Sequence, residues 1–170
     1  PTPFSGGSRV IQRGLISARA ILGASCVFWA VAAVLGLWLN TELGRVRPGN
    51  TLLWLGLAGL LGGLFYSAGP LRLSYRGVGE AVVFFLFGPL SVAGSYFCQT
   101  ARLGWLPLLS SVPAGLLVLA ILMVNEVLDV DWDARAHKRT LVVRLGRQRG
   151  YALYFAAYIG AYAWLGVGAM

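Results

Sequence analysis

An all-α bundle of membrane-spanning helices is the fold this sequence predicts, and three observations predict it. Hydrophobic residues make up 58% of the chain and charged residues only 12%, against roughly a quarter charged in a soluble domain. The apolar residues gather into five stretches of about 17–20, the length that crosses a bilayer as a helix. The connections between them are alternately rich and poor in cations, as in multi-span membrane proteins.

Each span follows from its residues. The first runs from Ile21 to Leu39, the second from Leu52 to Ala68, the third from Ala81 to Phe97, the fourth from Leu106 to Val124 and the fifth from Tyr151 to Met170. Gly and Ala are abundant inside the spans, as at Gly56, Gly59, Gly62 and Gly63, and such small residues let helices approach closely in lipid. Pro89 and Pro113 lie inside spans and predict kinks or local unwinding there. Cys26 and Cys98 have no CxxC pattern and no nearby His, so both read as buried structural thiols. The aromatics Phe84, Phe85, Phe87, Tyr96, Phe97, Tyr151, Tyr154, Phe155, Tyr158 and Tyr162 read mostly as lipid-facing or interfacial, with any that face inward able to shield a cation.

The charges set the topology. Residues 1–20, 69–80 and 125–150 fall on one side and carry eleven of the fourteen Lys and Arg residues; Arg45, Arg47 and Arg102 fall on the other. The first side is therefore expected to face the cytoplasm, with 69–80 and 125–150 as loops around a site and 1–20, including Ser5–Arg9, as a third loop. The whole of 1–170 reads as a single transmembrane domain in a cell membrane. Pro1 opens the chain without Met, so it is expected to be an internal piece of a longer protein. The net charge of +8 does not argue for nucleic acid, because the cations are spread between apolar spans and form no single stripe.

The acids are few and concentrated. Of six carboxylates, Glu126, Asp129, Asp131 and Asp133 lie within eight positions, just after the fourth span. Anions at the end of a membrane segment are costly and read as functional by default. Asn125, Asp129 and Asp133 repeat every four residues, and on a helix they cover an arc of about 80°. Asp131 points away from them, and Glu126 sits beside their face. Oxygen donors without His or Cys favour magnesium over zinc or copper. Magnesium takes one or two protein carboxylates and completes its shell with water and phosphate. The expected ligand is thus a diphosphate, contacted also by Lys138 and Arg139 just downstream and by Arg72 and Arg76 on the 69–80 loop. An EF-hand is excluded, since its turn Gly and distal Glu are missing. The alternative is a solvated segment with ion pairs inside the helix. His137, the one histidine, reads as a solvated loop residue more readily than as a base.

Two long motifs carry a resemblance. NEVLDVDWDARAHKRTLVVRLGR (125–147) resembles the second aspartate-rich motif of the UbiA superfamily of intramembrane prenyltransferases. FYSAGPLRLSYRGVGEAVVFFLFGPLSVAGSYFCQT (65–100) resembles the loop and following helix of that superfamily's menaquinone branch, the 1,4-dihydroxy-2-naphthoate polyprenyltransferases. The opening SGGSRVIQRGLIS (5–17) is similar to the segment after the family's first aspartate-rich motif. By this resemblance Asn125, Asp129 and Asp133 are metal-binding positions, with Asp129 and Asp133 catalytic. Lys138 and Arg139 are the basic tail, and Tyr66, Arg72, Tyr75 and Arg76 contact diphosphate or shape an aromatic pocket. The first aspartate motif lies outside the chain, which would hold about five of the family's nine helices.

The resemblance implies magnesium-dependent transfer of a polyprenyl group from its diphosphate to an aromatic acceptor in the membrane, with 1,4-dihydroxy-2-naphthoate as the expected acceptor. Homogentisate, 4-hydroxybenzoate, a haem or a glycerol-phosphate lipid are the alternatives within the family. A transporter or channel with Asn125, Asp129 and Asp133 at its mouth is the alternative of another class; it wants charged or broken helices at mid-membrane, whereas these charges sit at span ends. A structural membrane subunit is the third reading, and it alone tolerates Asp129→Ala.

Overall fold

In lipid a chain must satisfy its own backbone hydrogen bonds, so apolar stretches of this length fold as helices. The computed structural model describes residues 10, 11, 13–46 and 49–168; Ser5–Arg9 and Arg47 lie outside the described residues. Six helices follow in order: α1 (Ala18–Val46), α2 (Thr51–Ser67), α3 (Gly79–Thr100), α4 (Trp105–Arg135), α5 (Leu141–Leu145) and α6 (Arg147–Gly168). A single 3₁₀ turn, Leu73–Tyr75, precedes α3, and no strand occurs among the described residues. The all-α membrane bundle is the observed architecture.

Three helices, α1, α3 and α4, are long and apolar enough to cross a membrane. The second expected span is apolar but only 17 residues long. The fifth is 22 residues long and opens on Arg147 and Arg149. At 31 residues, α4 measures about 46 Å against a hydrocarbon core of about 30 Å. Its membrane part, Trp105–Val124, is apolar, and the end bearing the acids projects beyond it.

The tightest packing joins α4 to α6 and α3 to α4. Small residues make the α3–α4 crossing possible. A Cβ on Gly88 would lie 2.9 Å from Gly115 Cα, and one on Gly115 would lie 2.8 Å from the Phe84 ring and 2.9 Å from its carbonyl. The innermost cluster, Met123, Val127 and Val142, sits beneath the projecting end of α4, with Leu119, Val130, Leu141, Leu153 and Tyr154 against it. It ties α4, α5 and α6 together where the acids emerge.

The two prolines behave differently. Around Pro89 the α3 backbone opens into a π turn over Leu86–Leu90, and Ser91 Oγ donates to the Leu86 carbonyl at 2.7 Å. Across Pro113, α4 stays helical. Proline has no N–H for the carbonyl four residues earlier, and Trp164 Nε1 on α6 donates to that Leu109 carbonyl at 3.0 Å. The expected local unwinding occurs at Pro89 but not at Pro113.

Neither cysteine is buried: Cys26 is exposed and Cys98 half-buried. The expectation of buried thiols is corrected, because α1 packs chiefly on α2 and leaves most of its circumference outward. Of the aromatics named above, Phe97 is buried and Phe85, Phe87, Tyr151, Phe155, Tyr158 and Tyr162 are exposed.

Candidate functional site

The acid-bearing segment begins as helix. Residues 125–135, read from the sequence as part of a loop, continue α4 without interruption. No Gly or Pro stands between Val124 and Gly146 to stop them, and Arg135 in the last turn complements the helix dipole. Asn125, Asp129 and Asp133 therefore stand on successive turns of one face. Asn125 is exposed, and Asp129 and Asp133 are half-buried.

His137 ends the helix. It adopts the left-handed conformation, φ +55°, and its N–H bonds the Ala134 carbonyl at 3.1 Å while the Lys138 N–H bonds the Asp133 carbonyl at 2.9 Å. These two bonds are the Schellman pattern, in which the side chains flanking the turn usually meet as apolar neighbours. Here the meeting is ionic: Lys138 Nζ donates to Asp133 Oδ2 at 3.0 Å. The turn that stops the helix thus folds a cation back onto the last acid of the series. Asp131, pointing away as expected, pairs with Arg147 at 2.9 Å. Among the described residues, the side chains of Asn125 and Asp129 have no hydrogen-bond or ion-pair partner.

Two carboxyls missing from the expected site lie deeper. Glu80, in the first turn of α3, and Glu126 are both buried. The N–H of Leu141, at the start of α5, donates to Glu80 Oε1. The Glu80 and Glu126 carboxyls stand within hydrogen-bonding reach of each other, and neither Oε2 meets another donor among the described residues. Glu126 lies past Val124 on the projecting end of α4. Tyr66, half-buried at the end of α2, lies within electrostatic reach of Glu126, Glu80 and Asp133. Glu80 left one trace in the sequence, as the sole acid of the 69–80 loop.

Among the described residues the expected cations Arg72, Arg76 and Arg139 pair with no acid; their contacts lie within and between the loops that carry them. Arg72, itself left-handed at φ +45°, lies 5.9 Å from the Tyr75 ring centroid. Arg76 Nη2 donates to the Pro70 carbonyl at 3.2 Å. The Arg139 N–H donates to the Tyr75 carbonyl at 3.1 Å, so the 69–80 loop and the segment after α4 touch. Arg72, Tyr75, Arg76 and Arg139 are exposed at this end.

An apolar groove of about 650 Å³ leads away from the polar end between α2 and α3; Tyr66, Gly59, Gly63, Leu86 and Phe87 are among the residues lining it. The glycines of α2 divide their labour: a Cβ on Gly62 would strike Leu86 at 2.8 Å, whereas one on Gly56 would meet nothing within 4 Å. Gly62 serves packing, and Gly56, Gly59 and Gly63 keep the groove open.

Oxygen donors alone line the acidic face, which suits a hard cation. Among the described residues no three His, Cys, Asp or Glu side chains converge on one point.

Fold and site together define a multi-pass helical membrane protein with acids and cations gathered at one end of an apolar groove. Residues 7–170 match the UbiA prenyltransferase family, and the chain belongs to it. It is 34% identical over 149 residues to a 1,4-dihydroxy-2-naphthoate octaprenyltransferase of Mycobacterium tuberculosis, covering 88% of this chain and 49% of that protein. A Bacillus subtilis protein of the same description is 28% identical, over 94% of this chain and 49% of its own length. A 2-carboxy-1,4-naphthoquinone phytyltransferase of Synechocystis is 32% identical, over 84% and 46%. The chain thus spans about half the length of these relatives. No solved structure matches it.

Proposed function

We propose that the protein carrying this chain transfers a polyprenyl group from an allylic diphosphate to 1,4-dihydroxy-2-naphthoate, within a cell membrane and with this polar end facing the cytoplasm. The observation that carries the reading is the Asp133–Lys138 pair within electrostatic reach of Tyr66, which lines one end of an apolar groove, with the 69–80 loop bonded to the segment just after α4. A polar head and a long hydrocarbon tail fit that combination, and a free soluble metabolite does not. The family and the relatives' described activities support the acceptor.

Asn125, Asp129 and Asp133 would hold magnesium. When bound, it neutralises charge on the departing diphosphate. Lys138, Arg139, Arg72 and Arg76 bind the phosphate oxygens and favour the leaving group electrostatically as the allylic C–O bond breaks. The groove keeps the isoprenoid chain extended and excludes water from the allylic carbon. A carbon of the electron-rich ring attacks, the new C–C bond forms as the C–O bond to diphosphate breaks, and the attacked ring carbon then gives up its proton, or its carboxylate as CO2, to restore the aromatic ring.

The test uses the protein at its native length in nanodiscs. Asp129→Ala and Asp133→Ala are each expected to lower magnesium-dependent prenyl transfer at least about a thousandfold, the scale of losing a principal electrostatic stabiliser. Helical circular dichroism should not change. Turnover retained by both variants would refute these roles and favour a structural subunit.

A further inference from the structure

Arg144 lies outside the residues assigned to the diphosphate, yet its guanidinium sits between two of them. Nη2 donates to the Arg76 carbonyl at 2.6 Å, and Nε donates to the Arg139 carbonyl at 3.2 Å. Among the described residues it pairs with no acid; its hydrogen bonds go to these two main-chain oxygens. Gly77 makes room for it. The Gly77 backbone is left-handed at φ +68°, and a Cβ there would lie 2.9 Å from Arg144 Nε and 3.1 Å from the Arg139 carbonyl. Two further bonds flank the crossing, from the Arg139 N–H to the Tyr75 carbonyl and from the Leu141 N–H to Glu80.

Three ties therefore dock residues 75–80 onto residues 139–144, and Arg144 is the one that bridges both backbones with a single planar group. Lysine would place one point charge where the guanidinium fork reaches two acceptors. The carbonyls it holds belong to Arg76 and Arg139, whose side chains come from segments more than sixty residues apart in sequence. Without this tie, the Arg76 and Arg139 backbones would be held together only by the Arg139–Tyr75 and Leu141–Glu80 bonds that flank them.

We infer that Arg144 is a positioning residue: it fixes the two backbones from which Arg76 and Arg139 reach one anion, and does not itself bind that anion. The inference rests on the diphosphate reading above and adds the device that assembles its subsite.

A double-mutant cycle tests it, on the native-length protein in nanodiscs. Arg144→Lys, with Arg144→Gln as the second variant, is expected to raise KM for the allylic diphosphate about tenfold, the scale of one or two lost hydrogen bonds. The kcat should stay within about twofold. In an Arg76→Ala/Arg139→Ala background the same change should add less than about twofold, because residues acting through one another are not additive. A further tenfold loss in that background would overturn the inference, since Arg144 would then meet phosphate on its own account. So would an unchanged KM in both single variants. Limited trypsin cleavage after Arg76 reads the docking without turnover and should quicken several-fold in Arg144→Lys with little change in thermal midpoint. If the wild type shows no prenyl transfer, the functional reading fails. Cleavage at an unaltered rate refutes the docking independently.

Discussion

His137, read from the sequence as a solvated loop residue in preference to a base, is exposed. Its observed work is conformational: it takes the left-handed turn that ends α4, where glycine is the usual residue because it has no Cβ to crowd. His137→Gly should therefore stabilise the protein by about 0.5–1 kcal/mol, within the range for relieving a left-handed residue. Prenyl transfer should persist. Thermal unfolding in detergent and a turnover assay check the two halves; loss of activity with stability retained would restore histidine as a base. The same turn explains Lys138, which the sequence marked for diphosphate and the structure pairs with Asp133.

At the scale of elements, the informative contrast is between the two prolines. Both removed a backbone donor, and both were expected to distort their helix. The outcome depended on neighbours. Pro89 stands beside Gly88, where α3 meets α4 backbone to backbone, and the helix widens into a π turn. Pro113 stands opposite Trp164, whose indole takes up the freed carbonyl. The α3–α4 crossing allows no side chain at Gly115, where the Phe84 ring and carbonyl already fill the space. Gly115→Leu should cost about 2–3 kcal/mol through overpacking, seen as a lower thermal midpoint, while Gly56→Ala should change it little because nothing lies within 4 Å. Equal effects at the two positions would mean that the crossing is not where the structure places it. α4 itself was legible only in part. Its apolar portion followed from composition, but its continuation to Arg135 depended on the absence of any stop signal before His137.

The whole molecule has a polar end and an apolar body, and the charges assign the polar end to one side of the membrane. Single cysteines placed at Arg72 and Arg139 should react with a membrane-impermeant maleimide from the same side, and one at Arg102 from the opposite side. Right-side-out and inverted vesicles, in a background lacking Cys26 and Cys98, distinguish the two. Labelling of Arg72 and Arg139 from opposite faces would dismantle the topology and the site together. The groove belongs to this scale as well. Its glycines were read from the sequence as residues for close packing, but which of them pack and which leave space is a property of α3 lying beside α2.

By itself the sequence determined the all-helical membrane class, the places of the spans and the row of oxygens at Asn125, Asp129 and Asp133. These follow from composition and helical period, which are local properties of the chain. Only the tertiary structure decided that Glu80 meets Glu126, that Arg144 joins the backbones of Arg76 and Arg139, and that Trp164 answers Pro113. Each of those contacts brings together segments of the chain that are 46 or more residues apart in sequence. No periodicity records such a pairing; it exists once helices have packed and every buried donor and acceptor must find a partner.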